Sequence, residues 1–155
     1  MAAELTKEAL DLLAENDTVK VLTTLDADGS PHSVVKQSLQ SGADGNILYL
    51  ELLESSRTNK NLVRSIWYNR YVAVTLAGRD GRSFQIKGKP LKAHITGPLF
   101  LTWYAAVREK LGDADLAAVW VIEPEEVINE SYAVRKDEEE GKHPYFTHLD
   151  RLARP

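Results

Sequence analysis

Short runs of alternating apolar and polar residues, separated by glycine-containing turns, are the feature that most constrains this chain. The first run, residues 19–25, alternates with a period of two and is followed by a polar turn at residues 26–29. Because the early runs are joined by short polar turns, the first three are predicted to form an antiparallel meander. Short strands without regular strand–helix–strand alternation favour a small closed β-barrel over a doubly wound parallel sheet. The later runs lie at residues 32–39, 47–53, 71–77, 83–93 and 117–122. Gly88, in the run 83–93, predicts a bulge or a close approach of another backbone.

Three segments have the periodicity of helices instead. The first covers residues 6–16, with Thr6 as its predicted N-cap and Leu10 and Leu13 on its predicted buried stripe. The third covers residues 97–112, opens on a Gly-Pro pair and ends on a glycine. The helices are few, so the predicted fold is mainly β with peripheral α.

The second helix, residues 56–69, follows the third strand directly. Its predicted N-cap is Ser55 or Ser56, and the apolar residues Leu62, Ile66 and Trp67 recur at helical spacing on its predicted buried face. This junction between a strand and a helix is the first candidate for a functional site.

The domain organisation is predicted to be simple. We expect a single domain over residues 1–155, with a core of about 6–128 and a C-terminal extension of 129–155. The extension shows neither helical nor strand periodicity, and its acidic run 137–140 is predicted to be a solvated face.

Composition excludes several classes of protein. The chain has 19 Lys and Arg against 23 Asp and Glu, a formal net charge of −4, which disfavours nucleic acid as a partner. It has no cysteine, and therefore no disulfide, thiolate metal site or thiol nucleophile. No segment is apolar enough for a membrane span, and no signal peptide opens the chain, so a cytoplasmic protein without a membrane partner is expected.

The start of the second helix carries a possible anion site. Ser56 and Thr58 flank Arg57 where the first turn of a helix leaves unpaired backbone N–H groups and the positive end of its dipole. This arrangement suits a phosphate monoester. The alternative is an ordinary serine cap beside a solvated arginine, and the spacing alone favours that alternative.

Other catalytic and nucleotide motifs are absent from the sequence. It contains no Gly-x-Gly-x-x-Gly, no phosphate loop ending in Gly-Lys-Ser/Thr, and no nucleophile elbow. None of the histidines has the spacing of a helical zinc pair, so no metal site is predicted and structural or surface roles are expected for them. These histidines are His32, His94, His143 and His148.

Several short sequence motifs, taken in their order along the chain, resemble those of the FMN-binding split barrels of the pyridoxamine 5′-phosphate oxidase-like superfamily, and especially of its small bacterial members. The motifs are residues 28–32, 56–62, 70–76, 84–88 and 96–98, and the resemblance spans about residues 6–128. It implies a six- to seven-stranded antiparallel split β-barrel, a homodimer, and FMN at the subunit interface.

The resemblance also implies roles for particular residues. Ser56, Arg57 and Thr58 would hold the FMN phosphate, with Asn61 one helical turn further in. The flavin ring would lie beside the second strand, where a cation or hydrogen-bond donor would tune its potential. The implied residues along the ring and around the rest of the site are Val35, Lys36, Gln37, Glu51, Arg82 and Ser83.

The chain departs from the oxidase pattern at Val34 or a neighbouring position, where the oxidase has an arginine, and at Thr58, where it has a lysine. The implied function is therefore an FMN-dependent oxidoreductase or electron-transfer protein of unspecified substrate, without catalytic side chains of its own. Alternatives are the same fold with deazaflavin F420 or haem, and a flavin-binding sensor or storage module without turnover. A haem would need an axial ligand such as His143 or His148.

Overall fold

The computed structural model describes residues 2–143 and has seven strands and four helices within them. The helices are α1 (Lys7–Ala14), α2 (Arg57–Trp67), α3 (Gly97–Leu111) and α4 (Tyr132–Lys142). The strands are β1 (Val19–Leu25), β2 (Pro31–Val35), β3 (Gln40–Ser41), β4 (Ile47–Glu51), β5 (Val72–Ala77), β6 (Ser83–His94) and β7 (Ala118–Asn129).

All seven strands belong to one antiparallel sheet in the order β2-β1-β5-β6-β7-β4-β3. The sheet curls around a core but keeps two edges, β2 and β3, which do not pair with each other. The mainly β split barrel expected from the resemblance is thus confirmed, whereas the fully closed barrel expected from strand spacing is wrong.

The predicted meander of the first three strands is also wrong. β4 pairs with β7, with Tyr49 opposite Trp120, and not with β2. The cause lies in the segment after Val35, where the Lys36 N–H still bonds to the Lys20 carbonyl but the chain then turns away from β1. The strand predicted over 32–39 consequently ends at Val35, and Leu39 enters the core instead.

The core lies inside the curl of the sheet. Inward-facing side chains of β1, β4, β5, β6 and β7 meet α1 and α2 there, and Trp120 and Tyr49 are the largest fully buried members. α3 packs on the outer side of β4 and β7, where Val107 contacts a smaller apolar cluster that includes Leu48 and Leu50. α2 thus packs against the inner core through Leu62, which is fully buried.

The predicted bulge at Gly88 is confirmed. The pairing of β6 with β7 shifts register between Lys87 and Gly88, and a Cβ at Gly88 would collide with the backbone carbonyl oxygen of Glu123. Both strands continue past the shift, so β7 extends to Asn129, whereas the sequence predicted an end at residue 122.

Three residues predicted to be buried on helices are exposed. Leu10 is 38% exposed, Ile66 41% and Trp67 73%, because α1 buries Ala9, Leu12 and Leu13 and the last turn of α2 extends past the sheet. Leu13 and Leu62, predicted on the same two stripes, are buried, so helical spacing identifies the covered side of each helix only in part.

The extension was predicted to have no helix, and α4 shows this to be wrong. α4 buries no residue, so it lacks the apolar stripe that identifies a helix from sequence. Ion pairs one turn apart support it instead, with Arg135 2.6 Å from Glu138 and Lys136 3.9 Å from Glu140. The acidic run lies on this solvated helix, whereas His148 lies outside the described residues.

Candidate functional site

The start of α2 is built by a short segment that leaves the end of β4. Glu51 ends that strand, and five residues later Ser56 has extended backbone angles and caps the helix, its Oγ accepting the Asn59 N–H at 3.0 Å. The Ser56 carbonyl accepts the Lys60 N–H at 3.2 Å. Ser56 is therefore the N-cap, and its hydroxyl oxygen already serves the helix.

The first turn of α2 retains unused hydrogen-bond donors. Within residues 2–143, no atom accepts a hydrogen bond from the backbone N–H groups of Arg57 and Thr58. Such groups at a helix start attract anions, because they add to the positive end of the helix dipole. The backbone therefore offers two donors to a ligand.

A cleft of about 690 Å³ opens at this helix start. Its cations are Arg57, Lys60 and Arg64, all on α2, and its carboxylates are Asp26 and Asp28, in the turn after β1. Three cations face two carboxylates, so the cleft is locally positive in a chain that is negative overall. The remaining lining residues are Ala27 and Ser55.

Asp26 is held by two residues of α2. Its Oδ1 accepts the Asn61 amide at 2.8 Å, and its Oδ2 lies 3.7 Å from Arg57 NH1. The Arg57 side chain is 66% exposed, so it is free to turn from Asp26 toward a ligand at small cost. Asp26 thereby competes with any anion for this arginine.

Asp28 remains charged at neutral pH. Hydrogen bonds from the Ser30 hydroxyl, at 2.5 Å, and from the Ser30 N–H, at 2.9 Å, lower the pKa of this carboxyl, with a smaller contribution from Arg57. Because Asp28 is already committed to Ser30 in the turn, it competes less directly for the cations than Asp26 does.

Asn61 lies next to the cleft, but both polar atoms of its side chain are already hydrogen-bonded. It is fully buried; its amide nitrogen donates to Thr24 Oγ1 as well as to Asp26, and its Oδ1 accepts from Arg64 NH1 at 3.0 Å. The residue fastens α2 to the end of β1. Thr58, 2% exposed, is similarly buried against the sheet.

Lys36 and Glu51 meet at the inner side of the sheet. Lys36 Nζ lies 3.9 Å from Glu51 Oε2 and 5.6 Å from the centre of the Tyr49 ring, and the Tyr49 hydroxyl donates to Glu51 Oε2. Glu51 is 1% exposed, and its Oε1 has no hydrogen-bond partner within the described chain. A buried carboxylate oxygen that accepts no hydrogen bond lowers the free energy of unfolding unless another group donates a hydrogen bond to it.

Gln37 closes the end of β1. Its side-chain oxygen accepts the Lys20 N–H at 2.9 Å and its amide donates to the Thr18 carbonyl at 2.9 Å. These bonds take the place of the backbone hydrogen bonds that β2 would make to β1 if it continued past Lys36. The side chain of Gln37 is therefore engaged by the backbone of β1.

Val35 and Ser83 lie on one surface, although they are far apart in sequence. The strand registers place them on the outward side of β2, β1, β5 and β6, a surface we call the outer sheet face. Lys87 is its only charged member, and two of its hydroxyls, Thr23 and Ser33, bond to each other at 2.7 Å. Its members are Val19, Val21, Thr23, Leu25, Pro31, Ser33, Val35, Ala73, Thr75, Ala77, Ser83, Gln85 and Lys87.

Arg82 lies in a different part of the structure. Its guanidinium lies 2.6 Å from Asp80 and 2.8 Å from Glu15, beside α1, and hydrogen bonds to these carboxylates raise its pKa. β1 spans seven residues between this region and Asp26, or roughly 20 Å at about 3.4 Å per residue. Within one chain, Arg82 is thus remote from the α2 cleft.

Eight of the ten residues implied by the resemblance therefore fall into three groups. Ser56, Arg57, Thr58 and Asn61 lie at the start of α2; Lys36 and Glu51 lie beside each other behind it; and the outer sheet face carries Val35 and Ser83. Gln37 and Arg82 make structural bonds outside these groups.

Sequence reasoning did not identify Asp26, Lys60 or Arg64 as part of the cleft. Lys60 and Arg64 follow Arg57 at three- and four-residue spacings on the helix, a signal that could have found both cations. Asp26 is brought to them only by the packing of α2 against β1, which no local pattern discloses.

The fold is shared with proteins of known structure. An FMN-binding protein from Syntrophomonas wolfei superposes with a TM-score of 0.66 at 14% identity, covering 81% of this chain and 85% of that one. A predicted pyridoxamine 5′-phosphate oxidase from Lactobacillus delbrueckii gives 0.61 at 24% identity, with coverages of 81% and 93%. The haem storage protein HutZ from Vibrio cholerae gives 0.57 at 15%, with coverages of 82% and 95%.

No family model and no curated protein sequence matches the chain. The superposed structures nevertheless confirm the split-barrel fold that the resemblance in the sequence implied. Among residues 2–143, every helix is too short or too polar to cross a bilayer, and no three potential metal ligands cluster together.

Proposed function

We propose that the protein binds FMN, with the phosphate in the cleft at the start of α2. The observation that carries this proposal is the cleft itself, which combines two unused backbone N–H donors with Arg57, Lys60 and Arg64. A phosphate monoester requires this donor set, because it presents several acceptor oxygens and up to two negative charges. The residues present thus fit the phosphate end of FMN.

The path of β2 supports the placement of the flavin ring. Pro31 pairs with Leu25, one residue before Asp26 of the cleft, and β2 then runs away along the edge of the sheet to Val35. β2 has a sheet partner on one side only, so its other side is open to a flat ligand. An elongated ligand with its phosphate in the cleft would lie along this edge, with its ring toward Val35 and Lys36.

Lys36 and Glu51 would then control the electrostatics near the ring. Lys36 is held by Glu51 at 3.9 Å, and the free Oε1 of Glu51 is an acceptor that a hydroxyl or ring N–H of the ligand could complete. FMN supplies one- and two-electron redox chemistry when bound, while the protein supplies binding, orientation and the local charge. We therefore infer an FMN-dependent oxidoreductase or electron-transfer protein.

The proposal includes a homodimer. The outer sheet face presents Val19, 47% exposed, and Val35, 55% exposed, together with mutually bonded hydroxyls and a single charge. A surface that has few charges and few unpaired polar groups is typical of a face covered by another protein. A second copy of the chain packed there would remove these apolar side chains from solvent.

The fold also accommodates other cofactors, since an F420 reductase of known structure shares it, with a TM-score of 0.58 at 16% identity. We favour FMN because the three cations of the cleft are balanced in part by Asp26 and Asp28. That local charge suits one phosphate monoester better than the longer polyanionic tail of F420.

The contribution of the phosphate is tested by comparing FMN with riboflavin, which lacks it. If the cleft holds the phosphate, FMN binds at least about tenfold more tightly than riboflavin, because each charge-assisted hydrogen bond contributes about 1.5–3 kcal/mol. Quenching of flavin fluorescence on titration with protein measures both affinities. Equal affinities would place the phosphate in solvent and overturn the assignment.

A further inference from the structure

A second cleft, of about 660 Å³, lies between α1, the segment 36–41 and α3, and shares no lining residue with the cleft at the start of α2. Its walls are mostly apolar. Large side chains at its rim remain open to solvent, with Leu52 44% exposed and Leu111 52% exposed. The other large apolar wall residues are Leu13, Leu39, Leu50, Trp103 and Val107.

Lys20 lines this apolar cleft and is only 8% exposed. Its Nζ donates one hydrogen bond, to the Leu39 carbonyl at 2.8 Å. An ammonium has three donors, so two remain for other partners. Burial lowers the pKa of Lys20, and burial is the sole cause, since no charged neighbour contributes.

Within residues 2–143, no carboxylate lies within 4.0 Å of the Lys20 ammonium. The cleft lining contains two lysines, Lys20 and Lys110, and no aspartate or glutamate. Proteins seldom bury a charged group without a partner, because desolvation costs several kcal/mol that a counter-ion would offset. Residues 2–143 therefore do not supply the counter-ion that this lysine requires.

The nearby polar side chains do not fill that role. Ser38 Oγ bonds to the backbone of Leu50, Gln40 donates to the Ser38 carbonyl, and Gln37 is held by β1. Their bonds stiffen the wall of the cleft rather than compensating the charge. One buried cation above an apolar floor is thus the main chemical feature of the cleft.

We propose that this cleft binds a small carboxylic acid with an apolar body. Its carboxylate would pair with Lys20, and its hydrocarbon part would contact Leu13, Leu50 and Trp103. One buried cation balances one negative charge, so a monocarboxylate fits better than a dianion such as a phosphate monoester. The inference rests on Lys20 and the cleft walls and stands independently of FMN.

The test compares decanoate with decanamide, two ligands of the same length that differ in charge. Isothermal titration of the purified protein, with each ligand below its aggregation concentration, is expected to show decanoate binding at least tenfold more tightly at one site per chain. Lys20→Met, which keeps the length of the side chain and removes the charge, should lower decanoate affinity at least tenfold and leave decanamide affinity within twofold.

Lys110→Met is the matched control, because Lys110 lies on the same cleft but is exposed. It should change decanoate affinity by less than threefold. Equal binding of decanoate and decanamide by the wild-type protein would overturn the proposal even if Lys20→Met did not fold. Undiminished decanoate binding by a folded Lys20→Met variant, or no binding of either ligand, would overturn it as well.

Discussion

Arg57→Ala is expected to weaken FMN binding about ten- to a hundredfold. The guanidinium lies in the cleft at the start of α2 and is 66% exposed, so it is available to a phosphate once it leaves Asp26. A hydrogen bond between charged groups contributes about 1.5–3 kcal/mol, and each 1.4 kcal/mol is about a tenfold change in affinity. Quenching of FMN fluorescence gives the dissociation constants.

The matched control is Arg79→Ala, which removes an arginine that is 83% exposed and lies outside the cleft. Its FMN affinity should stay within twofold of wild type. Riboflavin should bind Arg57→Ala and wild type equally, because it has no phosphate to lose. If Arg57→Ala binds FMN as tightly as the wild-type protein does, the phosphate is held elsewhere.

Gly88→Ala is expected to lower the free energy of unfolding by about 3 kcal/mol, near the upper end for overpacking a native structure. The new methyl group would overlap the Glu123 carbonyl oxygen and press on Ile122, and the backbone atom cannot rotate away as a side chain could. At about 2–4 °C per kcal/mol for a chain of this size, the midpoint of thermal unfolding should fall by roughly 6–12 °C.

Gly141→Ala is the control for this substitution. Gly141 lies in α4, where an added Cβ meets open space and alanine is the better helix former. Its thermal midpoint should be unchanged or slightly raised. A Gly88→Ala variant that unfolds at the wild-type temperature would show that the bulge between β6 and β7 yields easily, contrary to the close approach in the structure.

Local patterns predicted the local features of this protein well. The bounds of β1 at residues 19–25, the caps at Thr6 and Ser56 and the bulge at Gly88 all follow from side-chain chemistry within a few residues. Each depends on a physical preference that the neighbouring residues satisfy by themselves, such as a serine oxygen that accepts a helix N–H.

Features that depend on distant residues were not accessible in the same way. The pairing of β4 with β7 is chosen by the shared core of Tyr49 and Trp120, which lie 71 positions apart in sequence, and no turn signal specifies it. The recruitment of Asn61 to Thr24 and Asp26 likewise depends on packing. The sequence therefore located the start of α2 as a candidate site but not the acidic residues that share its cleft.

The direction of a side chain is hardest to predict from sequence where a strand ends. The resemblance implies a place for Gln37 beside the flavin, and in the structure its amide bonds to the backbone of Thr18 and Lys20, beyond the end of β2. Lys36, one residue earlier, points to the other side and meets Glu51. A one-residue step along an extended chain reverses the direction of a side chain, so the exact end of β2 decides which residue faces a ligand.

The central claim is that this split barrel carries FMN, and the most direct test is the visible absorption spectrum of the protein after incubation with FMN and gel filtration. The account predicts that the oxidised-flavin band elutes with the protein, at one FMN per chain and at the mass of a dimer. A protein fraction that elutes without flavin, or one that carries a haem band as purified and takes up no FMN, would contradict it.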